Sequence, residues 1–405
     1  MAMSEVPKGW SEKKLGEIAT LKYGKNLPTT KLTASGYPVF GANGPIGYYS
    51  QYHFEEKQLL ITCRGATCGT INVSLPCSFV TNNSIVIKDF ETDVYFDYIR
   101  RLLMWLPKES IITGSAQPQV TISNLQDLMI PLPPTLEEQK ITVKRLELLL
   151  GKINKANKRL EKIPIILKRF RQSVLSSACS GRLTADWREE NECGEWENKK
   201  LINMVEKRGI FDGPFGSNLK TSDYVNKGVR VVRLENVGVL HFIKGKQSYI
   251  SEEKYQTLLN HTVLEGDVIF SSFISESVRV CQIPKLDTPA IAKADCFCIR
   301  PDKKIILNEY LCYALSNPNI YNNFVELVHG ATRPRINTTQ LKNIFLSVPP
   351  LLEQEEIVSG VNELFALADK IEKRYINAKS QLVRAEKAIY AKAFRGELVR
   401  LEEEQ

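Results

Sequence analysis

The sequence predicts an α+β fold: two duplicated globular α+β domains, separated by two long helices that form an antiparallel coiled coil. Three observations carry this. The chain repeats itself once, each copy is followed by a long run of apolar heptads, and each copy is built of short β-rich runs between turn signals.

The duplication is clearest at the end of each half. Gly114-Ser-Ala-Gln-Pro-Gln-Val120, Leu125, the Pro-Leu-Pro-Pro run ending at Pro134, Leu136-Glu137 and Ile141 lie 216 residues before Gly330-Ala-Thr-Arg-Pro-Arg-Ile336, Leu341, the Ser-Val-Pro-Pro run ending at Pro350, Leu352-Glu353 and Ile357. The starts match at an offset of 186, Trp10, Lys13, Lys14 and Leu15 against Trp196, Lys199, Lys200 and Leu201. The helices also end alike, Ala178-Cys-Ser-Gly-Arg-Leu183 against Ala393-Phe-Arg-Gly-Glu-Leu398. Three matches in one order indicate duplication. They divide the chain into a globular domain over 1–134, a helical spacer over 135–183, a polar connector over 184–194, a second domain over 195–350 and a second spacer over 351–405.

The second spacer carries an apolar seam at alternating steps of three and four: Ile357, Val361, Leu364, Ala368, Ile371, Tyr375, Ala378, Leu382, Ala385 and Ile389. The first carries Val143, Leu146, Leu150, Ile153, Asn157, Leu160, Leu167, Val174 and Ala178, with Asn157 as one polar group in the seam. Pro164 predicts a kink or break. A Pro-Pro pair precedes each spacer, and Gly181 and Gly396 are placed to cap their ends. About 40 residues of helix span roughly 60 Å, and neither stripe is buried unless the helices pair. Lys152 to Arg171 is strongly basic. A solvated helix face is the plainer reading; a surface for DNA backbone or an acidic partner is the functional one.

Within the domains, Gln58–Thr62, Ser84–Lys88, Val229–Arg233, Asp267–Ser271 and Cys296–Arg300 read as strands, and Tyr95–Leu106 and Asn308–Ser316 as helices. A largely antiparallel sheet with clustered helices is expected. The loops that stand out are rich in glycine with polar or aromatic residues: Tyr23–Lys25, Phe40–Tyr49, Cys63–Thr67, Gly213–Lys220, Arg233–Val237, Ser271–Phe273 and Thr332–Arg335. Arginine, lysine, asparagine and glutamine are the side chains that read guanine and adenine edges. Glycine lets a backbone approach a phosphate closely.

Net charge is +8 with Lys+Arg 54 against Asp+Glu 46, which permits nucleic-acid binding without requiring it. No apolar run is long enough to span a membrane. Met1 to Trp10 lacks the apolar core of a signal peptide, so the cytoplasm is the expected compartment. The nine cysteines form no CxxC pair and suit reduced thiols better than a disulfide framework or a zinc site.

No GxxxxGK[ST] loop, no GxGxxG after a strand, no methyltransferase Pro-Pro-Tyr run and no serine-nucleophile signature occur. The acidic groups Glu137-Glu-Gln-Lys140 and Glu252-Glu-Lys254 read as helix starts or turns rather than nuclease centres. No catalytic residue and no metal ligand is expected in this chain.

The order domain, helix, domain, helix resembles the specificity subunit of type I restriction–modification systems. The resemblance rests on Pro7-Lys-Gly-Trp10, Gly213–Lys220 with Tyr224, Val229–Asn236, the two proline runs with Glu138-Gln139 and Glu353-Gln354, and Arg171–Leu175 leading to Ala178–Leu183. It covers essentially the whole chain, with Thr135 a minor departure. It implies two target-recognition domains, each reading half of a bipartite DNA site, and helices that act as a ruler. It also implies two docked modification (methyltransferase) subunits, with restriction subunits outside them. S-adenosylmethionine, ATP and magnesium would belong to those partners, and the chain would be non-catalytic.

On that plan the candidate DNA-reading residues are Lys22, Lys25, Asn43, Tyr48, Arg64, Gln117 and Gln119 in the first domain. In the second they are Ser217, Asn218, Lys220, Arg233, Asn236, Ser271, Arg333 and Arg335. The rival reading is a coiled-coil adaptor with duplicated protein-binding modules, which a steep salt dependence of DNA binding would exclude.

Overall fold

A computed structural model of the chain describes residues 6–113, 118–328 and 334–398. The chain divides into two compact units, residues 1–160 with 377–405, and residues 161–376. The units are not the sequence halves. Each holds one globular domain, the beginning of the helix that follows that domain, and the end of the other helical spacer.

In the first unit, Ser11–Lys14 pairs antiparallel with Met129–Leu132, Ser11 opposite Leu132. In the second, Glu197–Lys200 pairs antiparallel with Phe345–Val348, Glu197 opposite Val348. The partners differ by 186 on one strand and 216 on the other, the two offsets of the sequence repeat. Each ribbon closes its domain by joining the start to the end.

Behind each ribbon lies a four-stranded antiparallel sheet. In the first unit its order is Thr20–Tyr23, Ser84–Lys88, Leu59–Thr62, Ile71–Val73. In the second it is Val205–Phe211, Cys296–Pro301, Val268–Ser271, Val280–Gln282. The central strands Leu59–Thr62 and Val268–Ser271 are buried at every position and Ser84–Lys88 at all but Lys88, so both faces of each sheet are covered there. A further sheet follows, three-stranded around Tyr37–Gly41 in the first unit and five-stranded around Val229–Val232 in the second. Each contains one parallel pair, Tyr37–Gly41 with Phe79–Val80 and Val229–Val232 with Ala290–Ala292. The domains are therefore α+β but assembled from several small sheets, not one. Phe40–Tyr49, expected as a loop, is a hairpin of Tyr37–Gly41 and Gly44–Tyr49.

Helices Phe96–Trp105 and Asn308–Ser316 lie where the apolar spacing places them. Their tyrosines show why both copies need the same geometry. Buried Tyr98 donates to the Pro131 carbonyl at 2.7 Å, and buried Tyr310 to the Ser347 carbonyl at 2.7 Å. Two buried glutamines tie the same helices to the spacers. Gln139 accepts from the Tyr95 N–H at 2.7 Å, and Gln354 from the Leu307 N–H at 2.8 Å. Each also donates to a carbonyl two residues earlier, that of Asp93 or Ile305.

The first spacer is broken as Pro164 predicts: one helix covers Leu136–Leu160 and the next Ile163–Cys179, with Pro164 in its first turn. The second spacer is one 44-residue helix, Leu351–Phe394. Within the first unit Val143, Leu146 and Leu150 share a core with Ala393 and Phe394. Within the second unit Val174 and Ala178 share a core with Ile357 and Val361, and Arg171 bonds Asp369 and Glu372 at 2.7 and 2.8 Å. Leu183 lies beside Gly360, so residue numbers rise on one helix as they fall on the other, and the two segments run antiparallel in this unit. The heptad seam is not buried along its whole length. Ile371 is 39% exposed, Ala385 is exposed, and Tyr375, Ala378 and Leu382 are only partly covered.

Gly181 and Gly396 end the spacers at φ +77° and +71°. A side chain at either would also strike a tryptophan. Trp196 lies 3.3 Å from the Cβ position of Gly181, and Trp10 lies 3.2 Å from that of Gly396. The connector is not merely a loop: residues Ala185–Glu190 form a short helix.

Candidate nucleic-acid interface

The DNA-reading candidates fall into three groups. Lys22, Lys25, Asn43, Arg64, Gln119, Ser217, Asn218, Lys220 and Arg335 are exposed, Tyr48 is 44% exposed, and Arg233 is half-buried. Gln117 and Arg333 lie outside the described residues. Asn236 and Ser271 are 1% and 0% exposed and are corrected to structural roles. The Asn236 amide accepts from the Arg233 N–H at 2.9 Å and donates to the Ile243 carbonyl at 3.0 Å. Ser271 accepts from Arg279 at 2.9 Å. Both side chains are consumed in shaping loops and offer nothing to an incoming base.

The glycines of two candidate loops are likewise internal. A Cβ on Gly24 would sit 2.2 Å from the Thr81 carbonyl oxygen, and one on Gly213 would sit 2.1 Å from the Lys293 carbonyl carbon. These glycines let two backbones cross within each domain. Close approach to a phosphate is not what requires them.

What the structure brings together is one backbone cradle, built twice. In the first domain Arg64 bridges Gln119 antiparallel, Val120 N–H donates to the Cys63 carbonyl at 3.1 Å, and Cys63 N–H donates to the Asn83 carbonyl at 2.9 Å. In the second domain Phe273 bridges Arg335, Ile336 N–H donates to the Ser272 carbonyl at 3.0 Å, and Ser272 N–H donates to the Asp295 carbonyl at 2.9 Å. Arg64, Asn83 and Gln119 thus correspond to Phe273, Asp295 and Arg335. Asn83 and Asp295 were not among the sequence candidates. Each precedes a core strand, and only the tertiary pairing reveals their place.

The second cradle is strongly charged. Arg335 meets Asp295 at 3.2 Å. Asp295 accepts from Ser272 Oγ at 3.0 Å, and its N–H donates to Asp212 at 2.9 Å. Burial pushes the Asp212 carboxyl up to about 6, against the bonds from the Gly213 and Asp295 N–H groups that favour its charged form. Nearby, Arg233 and Lys293 lie 6.0 and 5.9 Å from the Tyr224 ring centroid. Lys220 stands exposed at the end of its loop, where its N–H donates to Asp223 at 2.7 Å.

None of the nine cysteines forms a disulfide. Burial pushes Cys281 up to about 11 and Cys179 up to about 12, so both stay as thiols at neutral pH. Among the described residues no group of three or more His, Cys, Asp or Glu side chains is arranged to hold a metal ion, and no helix is long and apolar enough to cross a membrane.

A family model described as the type I restriction modification DNA specificity domain matches residues 7–164 and 195–379. The chain is 33% identical to the type I restriction enzyme EcoBI specificity subunit of Escherichia coli, over 68% of this chain and 59% of that relative's length. It is 27% identical to the EcoDI specificity subunit of the same organism, over 98% of this chain and 90% of that relative. In structure it is similar to the HsdS subunit from Thermoanaerobacter tengcongensis, with a TM-score of 0.59 and 19% identity over 98% of this chain and 99% of that one. It is also similar to a chain from a study of complex assembly and conformational transition of the type I R-M system. There the TM-score is 0.67 at 18% identity, over 97% of this chain and 99% of that one.

Proposed function

The chain belongs to the type I restriction modification DNA specificity family, and we propose that it selects the DNA sequence on which a modification and restriction complex acts. Each globular domain reads one half of a bipartite, asymmetric site. The helical spacers pair as a coiled coil and set the unread gap. Two modules reading one face of B-DNA are spaced about one turn, roughly 10 bp, centre to centre. The spacers dock two modification subunits, and restriction subunits join outside them. S-adenosylmethionine, ATP and magnesium act on those partners, in the cytoplasm, and this chain contributes no catalytic group.

The observation that carries the proposal is the doubled cradle. One backbone scaffold presents Arg64, Asn83 and Gln119 in the first domain and Phe273, Asp295 and Arg335 in the second. A common frame that carries different side chains in its two copies suits a protein that reads two different half-sites.

The test is co-purification with the cognate modification subunit, followed by sequencing of methylated positions in exposed DNA. Methylation of one bipartite motif that disappears when this chain is omitted supports the proposal. A methyltransferase that neither binds this chain nor depends on it for site choice overturns it and favours a protein-binding adaptor.

A further inference from the structure

Arg335 is held more firmly than an exposed arginine ordinarily is. Its backbone is pinned on both sides: Ile274 N–H donates to the Pro334 carbonyl at 3.0 Å, and Ile336 N–H donates to the Ser272 carbonyl at 3.0 Å. Its guanidinium is half exposed, yet Nη1 lies 3.2 Å from an Asp295 carboxylate that is only 19% exposed. That carboxylate cannot swing away. Ser272 Oγ donates to the same oxygen at 3.0 Å, and the Asp295 backbone, at φ +70°, donates its N–H to Asp212. Among the described residues Arg335 makes no other side-chain ion pair or hydrogen bond, its side chain is 50% exposed, and the Asp212 carboxylate lies within its electrostatic reach.

A planar donor fork, paired on one side with a largely buried carboxylate and half exposed to solvent, matches the two acceptors O6 and N7 that guanine alone presents side by side in the major groove. A phosphate-binding cation needs no such orientation, and a lysine-like point charge serves there as well. Building on the reading of this chain as a DNA-specificity subunit, we propose that Arg335 recognises a guanine in the half-site read by residues 195–350, and that Asp295 is the positioning residue that aims it. Its first-domain counterparts, Gln119 and Asn83, lack both charges. The two half-sites therefore differ at this equivalent position, and the first domain makes no guanine contact through it.

The experiment uses the full chain in complex with its modification subunits. Methylated motifs are mapped for the wild type, Arg335→Gln, Asp295→Asn and the double variant. Duplexes with each base pair of the site changed in turn are then bound in competition. Asparagine tolerates the positive φ at 295 and keeps the Ser272 bond, so that substitution removes only the charge.

The expected result is a loss of preference at a single G·C pair of one half-site, on the order of ten- to hundredfold for Arg335→Gln. The loss is smaller at the same pair for Asp295→Asn, and the double variant is no worse than Arg335→Gln. Discrimination at every other position is retained. A wild-type complex without any motif overturns the specificity-subunit reading itself. A wild-type motif with no required G·C pair in that half-site overturns this inference alone. So does an Arg335→Gln complex that keeps its full preference. If that variant no longer methylates, competition binding decides, and an even loss across all base changes overturns the inference. An Asp295→Asn effect spread over several positions, or one that adds fully to Arg335→Gln, overturns the positioning role.

Discussion

Glu353 is a junction of the second unit. It is fully buried in the first turn of the helix Leu351–Phe394. Its carboxylate accepts from Thr184 Oγ1 at 2.7 Å, from Arg188 Nη2 at 2.6 Å and from Trp196 Nε1 at 2.8 Å. Arg188 also donates to the Gly181 carbonyl at 2.7 Å. One carboxylate thus joins the end of a spacer helix, the connector, the start of the second domain and the start of the long helix. Replacing it by alanine strands a partly exposed arginine, an indole N–H and a hydroxyl. Breaking a buried pair by removing one partner costs about 3–5 kcal/mol. Arg188 retains 30% side-chain exposure and regains water, which favours the lower end, about 3 kcal/mol. For a unit of this size each kcal/mol moves Tm by roughly 2–4 °C, so Glu353→Ala is expected to lower it by about 6–12 °C.

Calorimetry and urea unfolding followed by tryptophan fluorescence read this change, because Trp196 is itself bonded to Glu353. Burial pushes the Glu353 carboxyl up, but the Arg188, Thr184 and Trp196 bonds outweigh it and hold the group below its ordinary value. A lowered folded value means the stabilisation is complete above the unfolded carboxylate pKa and is lost as pH falls through the folded one. The gap between wild type and Glu353→Gln therefore closes in acid. A loss under about 1 kcal/mol, the range of exposed pairs, refutes the reasoning.

Arg171→Ala removes bonds to Asp369 and Glu372, whose side chains are 63% and 49% exposed, and is expected to cost under about 1 kcal/mol by the same urea titration. Asp212→Asn keeps an acceptor for the Gly213 and Asp295 N–H groups. Because the Asp212 pKa is raised to about 6, the wild type loses stability as pH rises from the unfolded carboxylate value toward 6, and the asparagine variant does not. Melting temperatures across that window are expected to diverge in favour of the variant, and a constant gap contradicts the assignment. Lys22→Ala, Lys25→Ala and Lys220→Ala, all at exposed positions, are each expected to reduce the slope of log K against log salt by about one while leaving the sequence preference intact.

The architecture was legible because it is written in repeated residues. The offsets of 186 and 216 reappear as the strand partners that close each domain, and Pro164, Gly181 and Gly396 mark real breaks and caps. The site was less legible. Asn236 and Ser271 have the side chains of base readers, but hydrogen-bonding capacity does not reveal whether a partner already uses it. Asp295 and Asn83 were invisible for the opposite reason. Each lies far in sequence from the residue its cradle holds, 40 positions before Arg335 and 36 before Gln119, and no local pattern announces the meeting. The heptad seam overstated burial for a third reason. Periodicity tells which face of a helix is apolar, whereas burial of Ile371 and Ala385 depends on what lies opposite, and there nothing covers them fully.

The construction of the cradle bears on how specificity diverges. The backbones of both cradles are joined by hydrogen bonds through the Cys63 and Ser272 carbonyls and the Asn83 and Asp295 carbonyls, which do not depend on the side chains at 119 and 335. Side chains on such a frame change with little effect on the fold, since each N–H and C=O bond survives substitution. The parts least able to change are those whose side chains hold the frame: Tyr98 and Tyr310, which bond the closing ribbons from the domain helices, Gln139 and Gln354 at the spacer helix starts, and Glu353 at the second unit's junction. Substitutions at Gln119 and Arg335 are therefore expected to redirect DNA preference at unchanged stability, whereas substitutions at the glutamines or Glu353 reduce stability in whichever unit they fall. A variant at Arg335 that unfolded the second unit would show that reading and holding are not separate in this chain.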